Sequence, residues 1–128
     1  MIEDRIKIKI NNIIYNRYDT EMSCTIYFSI YIGKRCLRDN DFIERKTKCK
    51  ENDTFDLVLG KNLSRAYAEL AIYKYIINIY TSVMVSTDIK IWYGRNQVKT
   101  LECMINTYKY YKKLIKKQHK YINSLLRK

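Results

Sequence analysis

The sequence predicts an α+β fold, in which an N-terminal antiparallel β-meander packs with two long helices, one central and one C-terminal. Residues 5–10 alternate apolar and charged side chains, and residues 24–32 are nearly all β-branched or aromatic; both patterns are typical of strands. Residues 61–80 and a segment from residue 97 to near the C-terminus instead repeat apolar side chains at helical spacing. The strand segments follow one another directly, which favours antiparallel neighbours.

The N-terminal half divides into strands and turns. We expect a tight turn at residues 11–12, because Asn tolerates the positive φ of such turns, with residues 13–18 pairing back as the second arm of a hairpin. Residues 33–35 turn the chain after the strongest strand. A polar loop is predicted at residues 37–40 and a further strand over residues 42–50. Alternation in that strand places four side chains on one side: Ile43, Arg45, Thr47 and Cys49.

The second half is predicted to be mainly helical. Residues 55–59 are predicted to form a short strand that Gly60 ends, and residues 83–93 a strand or extended link. The helix over residues 61–80 is apolar most of the way round, so we expect it to be central, between the sheet and another element or subunit. The C-terminal helix carries a predicted apolar stripe: Leu101, Ile105, Tyr108, Tyr111, Ile115, Ile122, and Leu125 or Leu126.

The formal net charge of +12, from 25 basic and 13 acidic residues, indicates an anionic partner. Three kinds of partner fit this charge: nucleic acid, nucleotides and an anionic membrane surface. The alternative is that the charge serves solubility, or reflects an AT-rich genome that favours Lys codons, and no anionic partner is involved. The length of 128 residues fits one domain. No apolar run is long enough to span a membrane, and the acidic N-terminus lacks the features of a signal peptide, so we expect an intracellular protein with reduced thiols.

No catalytic or metal-binding motif is visible in the sequence. The four cysteines form no C-x-x-C pair, and the single His119 lies far from them, which argues against a zinc site. His119 also has no evident carboxylate partner, and there is no P-loop. We therefore expect a binding protein that is not an enzyme and needs neither cofactor nor metal.

Basic residues of the C-terminal helix are the first candidate site. They recur at i, i+3, i+4, i+7 and i+8, which places them on one side of a helix: Lys109, Lys112, Lys113, Lys116 and Lys117. This pattern predicts a phosphate-binding face, or alternatively a solvated face or electrostatic steering patch. Lys binds phosphate as a point charge, so ligand specificity has to come from other residues.

Two basic turns are further candidates. In the segment around Trp92, Arg95 and Asn96, an aromatic ring suits base stacking, Arg suits phosphate, and an Asn amide suits a base edge or ribose hydroxyl. The alternative is that Trp92 belongs to the core and its neighbours form an ordinary turn. Arg35 and Arg38 form a second basic turn at the sheet edge, either a phosphate contact or a solvated hairpin tip. Most of the thirteen tyrosines are interpreted as structural, some at a subunit interface.

One segment resembles a pattern found in small proteins of phages. It reads as a cysteine strand, an acidic turn and an Ala-containing helix, carried by Cys49, Asp53, Phe55, Asp56, Gly60, Leu63, Ala66, Ala68 and Glu69. The helix of the family usually reads Leu-Ala-x-Ala-Arg-Ala, and this sequence differs from it in two positions, where Ser64 replaces the first Ala and Tyr67 replaces the Arg. With its length, N-terminal sheet and two long helices, the chain resembles the Thoeris anti-defence protein 1 family of phage and prophage proteins.

The resemblance implies a viral protein that acts as a sponge in the cytoplasm of the infected bacterial host. Members of that family sequester a cyclic ADP-ribose isomer, the signal made by a TIR-domain enzyme, without cleaving it, and some also hold cyclic oligonucleotides. They assemble as homo-oligomers, dimers or hexamers, with the pocket built between protomers. The alternative is a small basic nucleic-acid-binding phage protein, and a third hypothesis is an inhibitor of an acidic host protein.

Overall fold

The computed structural model describes residues 5–18, 20–48, 57–80 and 97–127. In chain order these residues form strands β1 (Ile6–Tyr18), β2 (Glu21–Ile32) and β3 (Arg35–Lys48), then helices α1 (Leu57–Tyr80) and α2 (Gln97–Leu126). The strands lie side by side in the order β1-β2-β3, with both pairs antiparallel. The predicted α+β class, with an N-terminal meander and two long helices, is therefore confirmed.

Strand β1 is longer than predicted. The expected turn at residues 11–12 is wrong, because the pairing with β2 continues from Ile10 opposite Phe28 to Asn12 opposite Tyr27. Asn11 is the extra residue of a β-bulge, and its side-chain amide donates a hydrogen bond to the Ser29 hydroxyl at 2.8 Å. The neighbouring strand thus gives Asn11 a partner, and the chain absorbs an extra residue without reversing.

Strand β3 also has an irregularity, and the predicted loop at residues 37–40 is wrong because this segment is part of the strand. Asn40 adopts a positive φ of 50°, and its N–H donates to the Ser29 hydroxyl at 3.0 Å. That hydroxyl in turn donates to Asp39 at 3.1 Å. A single buried serine on the central strand thus contacts the irregular segments of both edge strands. The predicted turn after β2 is confirmed, with Gly33 at φ 55°.

Helix α1 begins at Leu57, earlier than predicted, so residues 57–59 are helical and the predicted strand is wrong there. Three predicted segments lie wholly or partly outside the described residues: 55–56 of the predicted short strand, 49–50 of the predicted β3 strand, and all of 83–93. Gly60 is buried within the first turns of the helix and does not end an element. A helical glycine costs about 1 kcal/mol relative to alanine, and the packing of Leu59 and Leu63 against α2 offsets this cost.

The core lies between the sheet and α1. Alternate side chains of β2 face α1 and are fully buried: Cys24, Ile26, Phe28, Ile30 and Ile32. They pack against Ala68, Ile72 and Ile76 of α1. The other side of α1 packs on α2, where Leu63, Ala66 and Leu70 contact Ile122 and Leu125. The central position predicted for α1 is confirmed, and it explains why this helix is apolar on nearly all sides.

Helix α2 is rotated relative to the predicted stripe in its N-terminal half. Tyr111, Ile122 and Leu125 are buried as predicted, but Leu101, Ile105 and Tyr108 are 58%, 50% and 46% exposed. The buried positions there are Cys103 and Thr107. The Thr107 hydroxyl accepts the Ile6 N–H at 3.0 Å and the Tyr111 hydroxyl donates to the Ile6 carbonyl at 2.8 Å. These two bonds satisfy buried backbone groups at the start of β1 and thereby fix the rotation of α2.

No described helix is long and apolar enough to span a membrane.

Candidate ligand-binding groove

Among the described residues, two grooves open where the helices meet the edge strands of the sheet. The larger one, here called the β3 groove, has a volume of about 930 Å³ and lies between β3, α1 and the C-terminal part of α2. Its polar lining residues are Arg45, Lys46, Tyr67, Lys74, Tyr75, Asn78, His119 and Asn123. Its apolar lining comes from Ile43, Leu70, Ala71, Ile122 and Leu126. The volume falls in the range of about 300–1,000 Å³ typical of small-molecule sites.

Simple periodicity places these side chains together. Ile43 and Arg45 pair with Ile26 and Cys24, whose side chains face the core, so their predicted common side of β3 is confirmed and it faces the helices; Cys49 lies outside the described residues. On α1, Tyr67, Ala71, Lys74 and Asn78 follow at helical spacing. On α2, His119, Ile122, Asn123 and Leu126 do the same. Each element therefore contributes both polar and apolar side chains to the groove.

The electrostatics of the β3 groove are one-sided. Arg45 and Lys74 bring two positive charges and His119 an imidazole, and none of the described residues that line the groove is acidic. Lys46 also lines the groove, but its ammonium lies 5.7 Å from the centre of the Tyr18 ring, on the other side of the sheet. The Arg45 guanidinium donates to the Glu44 carbonyl at 2.8 Å, which holds it at the strand. Because cations attract anions and no described lining residue is acidic, this lining favours a phosphate or carboxylate ligand.

An aromatic ring of this groove is held in place by its neighbours. The Tyr75 hydroxyl donates to the Asp41 carboxylate at 3.5 Å, and its ring meets the buried Phe28 edge-on at a centroid distance of 6.3 Å. Asp41 is therefore engaged outside the lining. An ordered ring beside fixed cations suits a flat, charged ligand, since less freedom is lost on binding.

Side chains that could ligate a metal ion are dispersed among the described residues. The described residues contain no cluster of three His, Cys, Asp or Glu side chains suited to a metal ion. Burial raises the pKa of the Cys24 thiol to about 11, which disfavours the reactive thiolate. What the β3 groove provides is cations, tyrosine rings and amides, which bind a ligand by charge, stacking and hydrogen bonds.

The smaller groove, here called the β1 groove, measures about 300 Å³ and has a mixed charge. The Arg5 guanidinium stacks on the Tyr110 ring at 4.1 Å from its centroid, and Lys7 and Glu69 also line the groove. Desolvation raises the pKa of Glu69, and the Arg65 guanidinium, 3.6 Å away, opposes that rise. An acid in the lining makes this groove a poorer anion site than the β3 groove.

Glu69 allows a test of this burial. The pKa of Glu69 is higher in the folded protein than in the unfolded chain. The protonated carboxyl therefore stabilises the fold at a pH below the unfolded-state pKa, and this contribution is lost as the pH rises through the folded-state pKa. We expect Glu69→Gln to be more stable than wild type at pH 7 by roughly 0.5 kcal/mol, and this difference to shrink at pH 4. Urea unfolding of both proteins at the two pH values measures it. A variant that is less stable at pH 7 would show that the Arg65 pairing outweighs desolvation.

The residues predicted as a site lie elsewhere. The five lysines Lys109, Lys112, Lys113, Lys116 and Lys117 are exposed on α2 and line neither groove. Arg35 and Arg38 are half-buried at the start of β3, where Arg38 donates to the Leu37 carbonyl at 2.7 Å, and they too are outside both linings. Trp92, Arg95 and Asn96 lie outside the described residues. The described groups, the five lysines of α2 and the two arginines of β3, share neither groove, and the role of all these residues in binding stays a prediction.

Sequence reasoning missed the polar residues of the β3 groove. Lys74 and Asn78 did carry a signal, because they interrupt a helix that is otherwise apolar. Arg45 shares its side of β3 with Ile43, which also indicates a position near the core. The sequence presents His119 only as a possible zinc ligand or catalyst, and neither role predicts a binding groove. Its place in one groove with Lys74 depends on how α1 and α2 pack, which no local pattern gives.

Comparison of the chain with family models, with curated proteins and with solved structures finds no match. The resemblance to the Thoeris anti-defence protein 1 family therefore stays a prediction. Of its motif, Gly60, Leu63, Ala66 and Ala68 are buried in α1, so this part of the pattern serves the packing of the helix. Residues 49–56 of the motif lie outside the part of the chain that the structure describes.

Proposed function

We propose that the protein binds a nucleotide-like anion in the β3 groove and sequesters it without cleaving it. The observation that carries the proposal is the lining: two cations, Arg45 and Lys74, an imidazole, two tyrosines and two asparagine amides, with no acid among the described lining residues. The ligand we propose is the cyclic ADP-ribose isomer that the resemblance implies. Its capture would withhold the signal from TIR-based (Thoeris) defence.

Each part of such a ligand has a chemical counterpart in the groove. Arg45 suits the pyrophosphate because its planar fork donates two parallel hydrogen bonds, and Lys74 adds a second charge. Tyr67 and Tyr75 suit adenine, since a base stacks on an aromatic ring. The amides of Asn78 and Asn123 suit ribose hydroxyls, to which they donate or from which they accept.

The exposed lysines of α2 have a supporting role in this proposal. Lys109, Lys112, Lys113, Lys116 and Lys117 contribute to a net charge of +12, which raises the rate at which an anion reaches the protein. They lie outside the β3 groove, so we assign them to steering and not to contact. The homo-oligomer implied by the resemblance remains part of the proposal, and light scattering of the purified protein tests it.

The direct test is recovery of the ligand after binding. The purified protein is incubated with a cyclic ADP-ribose isomer, freed of unbound ligand, and heated, and the released material is identified by mass spectrometry. We expect the intact cyclic molecule in near-stoichiometric amount. Recovery of a linear product would make the protein an enzyme, and recovery of nothing would overturn the proposed ligand.

A further inference from the structure

The outer face of the sheet carries exposed aromatic rings. Both helices lie on the inner side, so the alternate side chains of the three strands face away from them. On this outer sheet face, which we define by Tyr18, Tyr27, Tyr31 and Phe42 with the lysines around them, Phe42 is 59% exposed and Tyr18 is 54% exposed. Exposed aromatic rings on a sheet are available for contact with a ligand.

The rings alternate with ammonium groups across the strands. Phe42 lies directly opposite Tyr27, with ring centroids 5.8 Å apart and planes tilted by 39°. Near the other end of the face, the Lys46 ammonium lies 5.7 Å from the centre of the Tyr18 ring. Lys7 and Lys9 pair with Tyr31 and Ser29, so both project from the same side. A phosphate bound at any of these lysines would have an aromatic ring close to it.

The acids of this face already have partners. Glu44 accepts a hydrogen bond from Thr25 at 3.1 Å, Asp39 accepts one from Ser29 at 3.1 Å, and Glu21 pairs with Lys48 at 3.2 Å. Lys7, Lys9 and Lys46 are exposed. These contacts hold the carboxylates on the sheet without removing their charge, and the described lysines of the face, Lys7, Lys9, Lys46 and Lys48, outnumber the three carboxylates by one.

A second copy of this chain is a poor occupant for this surface. The middle strand places three buried hydroxyls in this face, those of Ser23, Thr25 and Ser29, between and beside the rings of Tyr27 and Tyr31, whereas the core of a stable self-interface is apolar. Two copies that met through this face would also bring its lysines together. A phosphate polymer is instead attracted by this charge, and its bases can cover the rings.

We propose that the outer sheet face binds single-stranded nucleic acid, whose bases stack on Phe42, Tyr27 and Tyr18 while its phosphates contact the neighbouring lysines. A single strand fits because its bases are unstacked and offer their flat faces, which a duplex hides. This site faces away from the β3 groove, which lies on the helix side of the sheet; Lys46 of the edge strand borders both. The inference goes beyond the proposed function and does not depend on it.

The test compares labelled dT12 with an abasic strand of the same length by fluorescence anisotropy. Stacking requires bases, so we expect dT12 to bind more tightly than the abasic strand, which carries the same phosphates. Phe42→Ala and Tyr18→Ala should each weaken dT12 binding by about fivefold or more. Tyr108→Ala is the matched control, because Tyr108 is 46% exposed and has Lys112 at 5.6 Å from its ring, but lies on α2.

Three outcomes would overturn the inference. Equal affinity for the abasic strand would mean that charge alone binds the polymer. Loss of binding in Tyr108→Ala but not in Phe42→Ala would assign the polymer to the lysine face of α2. A wild-type dimer in light scattering that Phe42→Ala converts to a monomer would assign the face to a second copy. Both sheet variants should retain wild-type binding of cyclic ADP-ribose, so failure of either proposal is seen independently of the other.

Discussion

Reversing the charge of Lys74 is expected to reduce binding of the cyclic ADP-ribose isomer about 100-fold. Lys74 lines the β3 groove with Arg45 and His119, and no described acid in the lining compensates for it. The change Lys74→Glu removes a charge-assisted hydrogen bond, worth about 1.5–3 kcal/mol, and adds a carboxylate that repels the pyrophosphate. Isothermal titration calorimetry with the purified ligand measures the loss.

Lys113→Glu is the matched control for this change. It alters the net charge by the same amount, but Lys113 is exposed on α2 and lines neither groove. We expect it to slow association, through weaker steering, and to change the affinity by less than about fivefold. Both lysines are exposed, so both variants should keep the far-UV circular dichroism of the wild type. Strong loss in Lys113→Glu with wild-type affinity in Lys74→Glu would place the ligand on the lysine face that the sequence predicts.

The elements of the fold were predictable wherever periodicity is local and long. The strand over residues 24–32 and both helices follow from β-branched content or helical spacing, and the structure places them close to the predicted bounds. The apolar surface of α1 on nearly all sides also predicted its central place. These features depend on residues that are near one another in the sequence, which explains the success.

The errors arose where a distant partner decides the local structure. Asn11 and Asn40 are residue types that favour turns. In the structure both donate a hydrogen bond to the Ser29 hydroxyl of the neighbouring strand, and both lie within irregular strands. Thr107 is polar and was left out of the apolar stripe, yet it is buried because it accepts the Ile6 N–H. Such contacts join residues far apart in the chain, and a pattern of neighbours cannot contain them.

The candidate site was predictable only in its chemistry. The net charge directs attention to an anionic ligand, which stays a prediction, and the lysines of α2 are predicted as its site because their spacing is regular. The β3 groove instead combines single residues from three elements: Arg45 from β3, Lys74 from α1 and His119 from α2. None of these residues belongs to a regularly spaced series of basic residues that a sequence pattern would reveal. Their approach requires the packing of α1 on the sheet and of α2 on α1.

The largest effect on stability is expected for Phe28→Ala. Phe28 is fully buried at the centre of β2 and packs edge-on against Tyr75, among the side chains that join the sheet to α1. Truncation removes the buried ring and leaves a cavity, at a cost of about 3–5 kcal/mol. Since a domain of this kind is stable by only about 5–15 kcal/mol, the variant should unfold at a much lower urea concentration.

Phe42→Ala provides the comparison within the same sheet. Phe42 is 59% exposed on the outer sheet face, so its truncation should lower the free energy of unfolding by less than about 1 kcal/mol. Urea unfolding of both variants, followed by far-UV circular dichroism, gives the two values under identical conditions. A cost for Phe42→Ala that approaches that of Phe28→Ala would mean that the outer face is covered in solution. In that case the rings would not be free to stack on bases, and a second copy would be the first occupant to test by light scattering.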